Sequence, residues 1–310
     1  MRPIQFGWVV PPGANFAPIS DIPRDAFPGH VRQALDRISG AFDSVWVVDH
    51  FQFSGTDILE CWTTLSYLAA LYPSLNFGTL VLGQSYRNPA LLAKMAATFQ
   101  YLSGGRLLFG LGAGWKEDEY HAYGYDFPSN GVRVSQLDEA IQIIKALWTD
   151  EPATFTGRYY RVADARCEPK PRPRPPVMIG GKKPRMLRLI ARHADWWNVD
   201  WVGLEAYRAL VAQLEQTCSE VGRDPSTLRR TWFGWFACAP TEQAARSLAN
   251  GRTGFVGTPA QIVEQMRPFV ALGVDYFMAA CLGFPDLTTP ELLIAEVLPA
   301  LRAEFGAEAR

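Results

Sequence analysis

His50 follows Asp49 at the end of a short apolar run, Ser44-Val45-Trp46-Val47-Val48. An imidazole in that place can donate a hydrogen bond, shuttle a proton or orient a neighbouring acid. The competing reading is a histidine that ties down its own loop through backbone bonds. Asp49 has the same two faces: an acid beside a bound cofactor, or a cap on the segment that follows. His30, His121 and His193 fall on predicted helices or loops instead. No second histidine or acid stands at metal-ligand spacing, which argues against a zinc or facial-triad centre.

Two glycine clusters could hold a ligand. Gly110-Leu111-Gly112-Ala113-Gly114 alternates glycines after an apolar run, and glycine lets backbone approach a planar or phosphorylated ligand closely. The spacing is GxGxG, it lies mid-chain, and it is not the GxGxxG of a dinucleotide site. The alternative is a tight turn at the barrel rim. Gly180-Gly181-Lys182 sits between a predicted strand and a predicted helix. Free N–H groups at that helix start suit a phosphate, with Lys182, Lys183 or Arg185 adding charge, unless the lysines simply face water.

The elements that carry these residues alternate. Strand-like apolar runs are predicted at 4–10, 44–48, 75–82, 106–111, 177–179, 195–199, 228–238 and 276–280, about eight in all. Helical spacing is predicted at 30–41, 58–71, 89–102, 132–148, 184–193, 205–221, 259–272 and 290–305. Short, continuously apolar strands suit a parallel sheet covered by helices, and about eight such units suit a closed ring. The expected fold is therefore α/β: a (β/α)8 TIM barrel forming one domain over 1–310, with an irregular, proline-rich excursion at about 149–176 between the fourth and fifth units. In a barrel the loops after the strands carry function, and Asp49, His50, Gly112, Gly114, Gly180, Gly181 and Asn198 all fall at such ends. An open doubly wound sheet is the rival.

Thirty basic residues face 31 acidic ones, for a net charge of −1, which favours neither nucleic acid nor an anionic membrane. The basic positions Lys170, Arg172 and Arg174 lie among prolines and read as a solvated connection. Five dispersed cysteines fit reduced thiols in a cytoplasm better than a disulfide framework. No apolar run reaches the about 18 residues a membrane span needs, and the N-terminus lacks a long apolar leader.

Taken together, several segments resemble the luciferase-like monooxygenase superfamily, and within it the deazaflavin (coenzyme F420)-dependent oxidoreductases. They are 44–51, Gly78-Thr79-Leu80-Val81, Tyr86-Arg87-Asn88-Pro89, 103–107 through Trp115, Phe155 to Tyr160, Pro175 to Gly181, and Ala194 to Asn198. The match is close over about residues 4–200, and Gly257-Thr258-Pro259 also fits. The resemblance implies an enzyme passing a hydride between F420 and a small organic molecule, with the ring across the carboxyl ends of the strands. It implies a non-proline cis peptide at Leu80–Val81 behind the ring. Asp49 and His50 would lie beside the reactive centre, with Gly112, Ala113 and Gly114 at the ring edge. Gly180, Gly181, Lys182 and Asn198 would hold the remainder of the cofactor. It also implies a homodimer. Trp115 departs from the pattern: F420-dependent sugar-phosphate dehydrogenases have a glutamate proton donor there, so an apolar or unsaturated substrate is expected, with Glu117 and Glu119 on the next turn. The alternatives are an FMN-dependent monooxygenase fed reduced flavin by a partner reductase, and a barrel that binds the cofactor without catalysis.

Overall fold

Side chains along a strand alternate between two faces, and here both faces are buried. The computed structural model describes residues 2–14, 22–53 and 55–306. Eight parallel strands form the barrel: β1 (Gln5–Val9), β2 (Ser44–Val47), β3 (Asn76–Thr79), β4 (Leu107–Gly112), β5 (Val177–Gly180), β6 (Trp196–Asp200), β7 (Arg229–Cys238) and β8 (Val274–Cys281). Each pairs with the next, and β8 returns to β1 with Gln5 opposite Tyr276, so the ring closes.

Outward residues such as Phe6, Trp8, Val45, Phe77, Phe109, Ile179, Trp197, Phe236 and Phe277 join the surrounding helices in the main core. Inward residues Val9, Trp46, Leu80, Met178, Phe233, Tyr276, Met278 and Ala280 pack on one another inside the ring. Trp46 fits there because Gly7 and Gly78 face it, and a Cβ on either would overlap its indole. The amino-terminal end is filled by side chains. Arg229 pairs with Asp275, donates to Gln5 Oε1 at 2.6 Å, and lies 4.6 Å and 4.7 Å from the ring centres of Trp196 and Tyr276. Among the described residues, that leaves the carboxyl ends of the strands to receive a ligand.

Four departures from the sequence reading matter. The predicted 75–82 strand is two pieces, β3 and a short Leu82–Gly83 pairing with β4; the Leu80–Val81 peptide between them is cis, as the resemblance implied. The 149–176 stretch is not irregular throughout: Ala153–Thr156 and Arg161–Ala165 form an antiparallel hairpin. Its turn is held by Glu139, whose carboxylate accepts the N–H groups of Arg158, Tyr159 and Tyr160 at 2.8–3.0 Å. Nor is the basic stretch merely solvated, since Lys170 Nζ donates to the Leu147 and Asp150 carbonyls and Arg174 forms a two-pronged pair with Asp195. Finally, a helix at Glu242–Ala249 and a strand at Gly254–Gly257 went unread in the sequence. That strand pairs with the end of β7, Trp235 to Cys238, beyond the part of β7 that β6 covers. No helix among the described residues is long and apolar enough to cross a membrane.

Candidate active site

Asp49 leaves β2 with its carboxylate turned into the protein. Both oxygens take bonds from Arg87 at 2.9 Å, and one also accepts Gly83 N–H at 2.9 Å. Arg87 reaches Glu60 Oε1 as well, at 2.6 Å, and Glu60 caps the helix Cys61–Leu71 through the N–H groups of Trp62 and Thr63. Desolvation works against the Arg87 charge, yet Asp49 outweighs it and holds the guanidinium pKa above its ordinary value. The Asp49 carboxylate is thus engaged by Arg87 and Gly83, and it ties the β2 loop to the β3 loop. A buried carboxylate needs such a counter-charge.

His50 turns the other way. Its Nδ1 lies 3.0 Å from Glu119 Oε2, and its ring packs edge-on against Phe53 and Trp115 at 4.6 Å and 5.6 Å. Glu119, on the short helix Glu117–Ala122, is fully buried. It also accepts Tyr86 Oη–H and Gln52 N–H at 2.9 Å each, and Phe51 N–H. Burial alone would raise its pKa. The bonds from His50, Phe51 and Gln52 prevail and bring it down to about 2. The same burial and the adjacent Glu119 push the Tyr86 phenol well up. An ionised Glu119 accepts only, so His50 Nδ1 carries the proton and donates. Nε2 has no hydrogen-bond partner among the described residues, and the side chain stays 16% exposed. The arrangement can take a proton from a ligand at the mouth, or return one.

The mouth wall between β3 and β5 is bare backbone. A Cβ on Gly112 would come 2.7 Å from Val81 Cγ2, and one on Gly180 would lie 3.5 Å and 3.6 Å from the Val81 methyls. One isopropyl group thus stands on a glycine surface, a shape against which a flat polycyclic ring fits. Leu80 lies beneath, in the inner cluster. Ala113 and Gly114 continue the rim, with Gly114 at φ 76° against the Tyr120 hydroxyl, itself buried without a partner.

The second glycine cluster is less open than expected. Gly181 N–H donates to the Asn198 carbonyl at 3.2 Å, and Gly181 O accepts Trp197 Nε1–H at 2.9 Å. Lys182 Nζ is held by Asp200, 3.0 Å from its carbonyl and 3.1 Å from its carboxylate, in a pair that stays partly exposed. Asn198 is buried and accepts Thr231 Oγ1–H at 2.9 Å. The helix Pro184–His193 starts without a side-chain cap, which leaves its first N–H groups for a ligand anion.

Glu119, Tyr86 and Arg87 are the site residues whose roles the sequence reading missed. Nothing local marks Glu119 apart from Glu117 and Asp118; its partners come from the β2 and β3 loops.

The luciferase-like monooxygenase family profile matches residues 4–255. An F420-dependent glucose-6-phosphate dehydrogenase of Amycolatopsis mediterranei (strain U-32) is 32% identical, over 91% of this chain and 95% of its own. An FMNH(2)-dependent dimethylsulfone monooxygenase of Pseudomonas putida is 24% identical, over 97% and 96%. Among solved structures, an F420-dependent secondary alcohol dehydrogenase in complex with an F420–acetone adduct superposes with a TM-score of 0.81 at 22% identity, over 97% of this chain and 100% of that one, a likeness of fold. A closed parallel barrel with a glycine-lined mouth, matched over 4–255, places this chain in the luciferase-like monooxygenase family.

Proposed function

We propose that the protein is an oxidoreductase that passes a hydride between coenzyme F420 and a small organic substrate, with His50 handling the accompanying proton. One observation carries the reading: past the end of β2, Glu119 holds His50 through Nδ1 and leaves Nε2 without a partner among the described residues, while the carboxyl ends of β3, β4 and β5 bring Val81, Gly112 and Gly180 together. The F420-dependent relatives support the cofactor. When bound, a deazaflavin supplies one ring carbon that gives or takes a hydride. Val81, Gly112 and Gly180 would back the ring, Ala113 and Gly114 would border it, and the uncapped start of Pro184–His193 would meet its phosphate. Leu80, Asn198 and Lys182 act from behind these groups, the last through its pair with Asp200.

His50 Nε2 receives the hydroxyl proton when an alcohol is oxidised and returns it when a carbonyl is reduced. Glu119 holds the tautomer, and Asp49 and Arg87 hold the loop. The test is bleaching of oxidised F420 on addition of an alcohol, with cofactor binding followed separately by fluorescence. Lack of F420 binding would overturn the reading. The dimethylsulfone monooxygenase likeness favours a second reading, reduced FMN supplied by a partner reductase, and titration of the apo-protein with each cofactor separates the two.

We further read residues 1–310 as one domain and the molecule as a cytoplasmic homodimer. The unbridged cysteines support the compartment. For the dimer, the helix Cys61–Leu71 carries no charged residue and Pro89–Leu102 has only Lys94, yet Tyr67, Leu71, Leu91, Tyr101 and Leu102 are exposed. An uncharged face pairs best with a copy of itself about a two-fold axis. Light scattering in solution checks it, and a monomer would remove it.

A further inference from the structure

We propose that the half of the mouth opposite the cofactor wall selects an uncharged alcohol or ketone with an aromatic or cyclic apolar body, which stacks on Trp201, and that it excludes phosphorylated substrates. This rests on the F420 reading above. In a ring of eight, β6 stands four strands from β2, so the residue leaving β6 faces the one leaving β2 across the mouth. His50 lies three residues past the end of β2, and Trp201 directly follows β6.

Trp201 is held there deliberately. Its backbone takes φ 55°, a conformation that a bulky residue adopts only where its surroundings impose it. Its N–H donates to the Phe233 carbonyl at 2.9 Å, and its ring lies 4.6 Å from that of Phe233 and 4.7 Å from that of Trp235. Phe233 and Trp235 are alternate residues of β7, so both present the same face. Trp201 nevertheless stays 41% exposed, and an aromatic plane backed by two others is left open to a ligand.

Charge points the same way. The described residues that leave β6, β7, β8, β1 and β2 are 201–203, 239–241, 282–287, 10–14, 22–26, 48–53 and 55–60, and together they contain one lysine or arginine, Arg24. Arg24 is spent on Asp57, with bonds of 2.7 Å and 2.9 Å. Two ammonium groups reach this half from neighbouring loops, Lys182 at Asp200 and Lys116 over Phe53, and both are paired with carboxylates, Asp200 and Asp118. Among the described residues a phosphate dianion entering this half would meet no unpaired cation to replace its water, and burying an unpaired charge is strongly unfavourable. Trp115 stands exposed against His50, 5.6 Å between ring centres, and adds a second open aromatic face without charge.

The chemistry balances with His50 as the base. The carbinol C–H bond breaks and its electron pair leaves as hydride to the oxidised cofactor. The O–H bond breaks, its proton goes to His50 Nε2, and C=O forms. The alcohol is oxidised and the cofactor reduced by the same two electrons, and ketone reduction is the reverse.

The test uses the full chain with F420. The kcat/KM for 1-phenylethanol should exceed that for propan-2-ol about 100-fold, and glucose 6-phosphate should give no bleaching. Trp201→Gly suits the backbone at that position and should lower the ratio of the two alcohols about tenfold, while Trp201→Phe should keep it within threefold. Separately, calorimetry on the cofactor-free protein should show acetophenone binding, weakened about tenfold by Trp201→Gly. Turnover of glucose 6-phosphate, or an alcohol ratio indifferent to Trp201→Gly, would overturn the proposal. If F420 does not bind, the cofactor reading fails, and the acetophenone titration alone decides: weakened binding in Trp201→Gly upholds the aromatic site, and absent or unchanged binding removes it.

Discussion

His50 and Tyr86 share one oxygen of Glu119: Nδ1 lies 3.0 Å and the phenol 2.9 Å from Oε2. The other oxygen takes the N–H groups of Phe51 and Gln52. A single buried carboxylate thus fixes the imidazole and the backbone immediately after it. Four convergent donors leave the side chain little freedom, so the direction of His50 Nε2 is set by residues remote from it in sequence.

Replacing His50 with Ala should lower F420-linked turnover about 100-fold or more, the range expected for a general acid–base group. Stopped-flow bleaching under single-turnover conditions isolates that step from product release. Wild-type rates in the variant would reduce His50 to a loop anchor.

Glu119 should also govern acid stability. Its pKa lies below the ordinary carboxyl value of 4.5, at about 2 in the folded chain. Its contribution is therefore complete above about pH 4.5 and is lost as pH falls toward 2, a total of about 3 kcal/mol by linkage. Urea unfolding at pH 7, 4.5 and 3 measures this slope, and Glu119→Gln should flatten it while lowering stability at pH 7.

Asp49→Asn should act on stability first. It strips Arg87 of its buried partner, a change that typically costs 3–5 kcal/mol, and chemical denaturation reads it directly. A variant as stable as wild type would show that Glu60 suffices for Arg87.

The two glycines under Val81 separate fold from ligand. A Cβ at Gly180 would sit at ordinary contact distance from the Val81 methyls, whereas at Gly112 it would force Val81 to move. Gly180→Ala should thus keep the melting temperature within a few degrees yet weaken F420 binding about tenfold, because the methyl takes space at the wall. Gly112→Ala should lower both. Fluorescence titration and thermal melts distinguish these outcomes.

The barrel itself was legible because it is written locally. The helices 89–102 and 184–193 agree with the observed bounds, each opening with proline at a position where its missing N–H costs nothing. Gly254–Gly257 was not legible, since four residues with glycine at both ends carry no alternation to read. Asp49 and Lys182 were noticed for their residue type, but type does not reveal partners. Arg87 lies 38 positions from Asp49, and the claim of Asp200 on Lys182 depends on β5 and β6 lying side by side. Glu119 was placed on the right turn and given no role, because a carboxylate becomes a site residue through the loops that close over it.

The plug of Arg229, Gln5, Trp196 and Tyr276 makes the barrel a vessel with one opening. Traffic through a single doorway has an order: whatever lies deepest must arrive first and depart last. A turnover that needs two guests therefore runs as an ordered sequence, and an excess of the shallower guest slows the exchange of the deeper one.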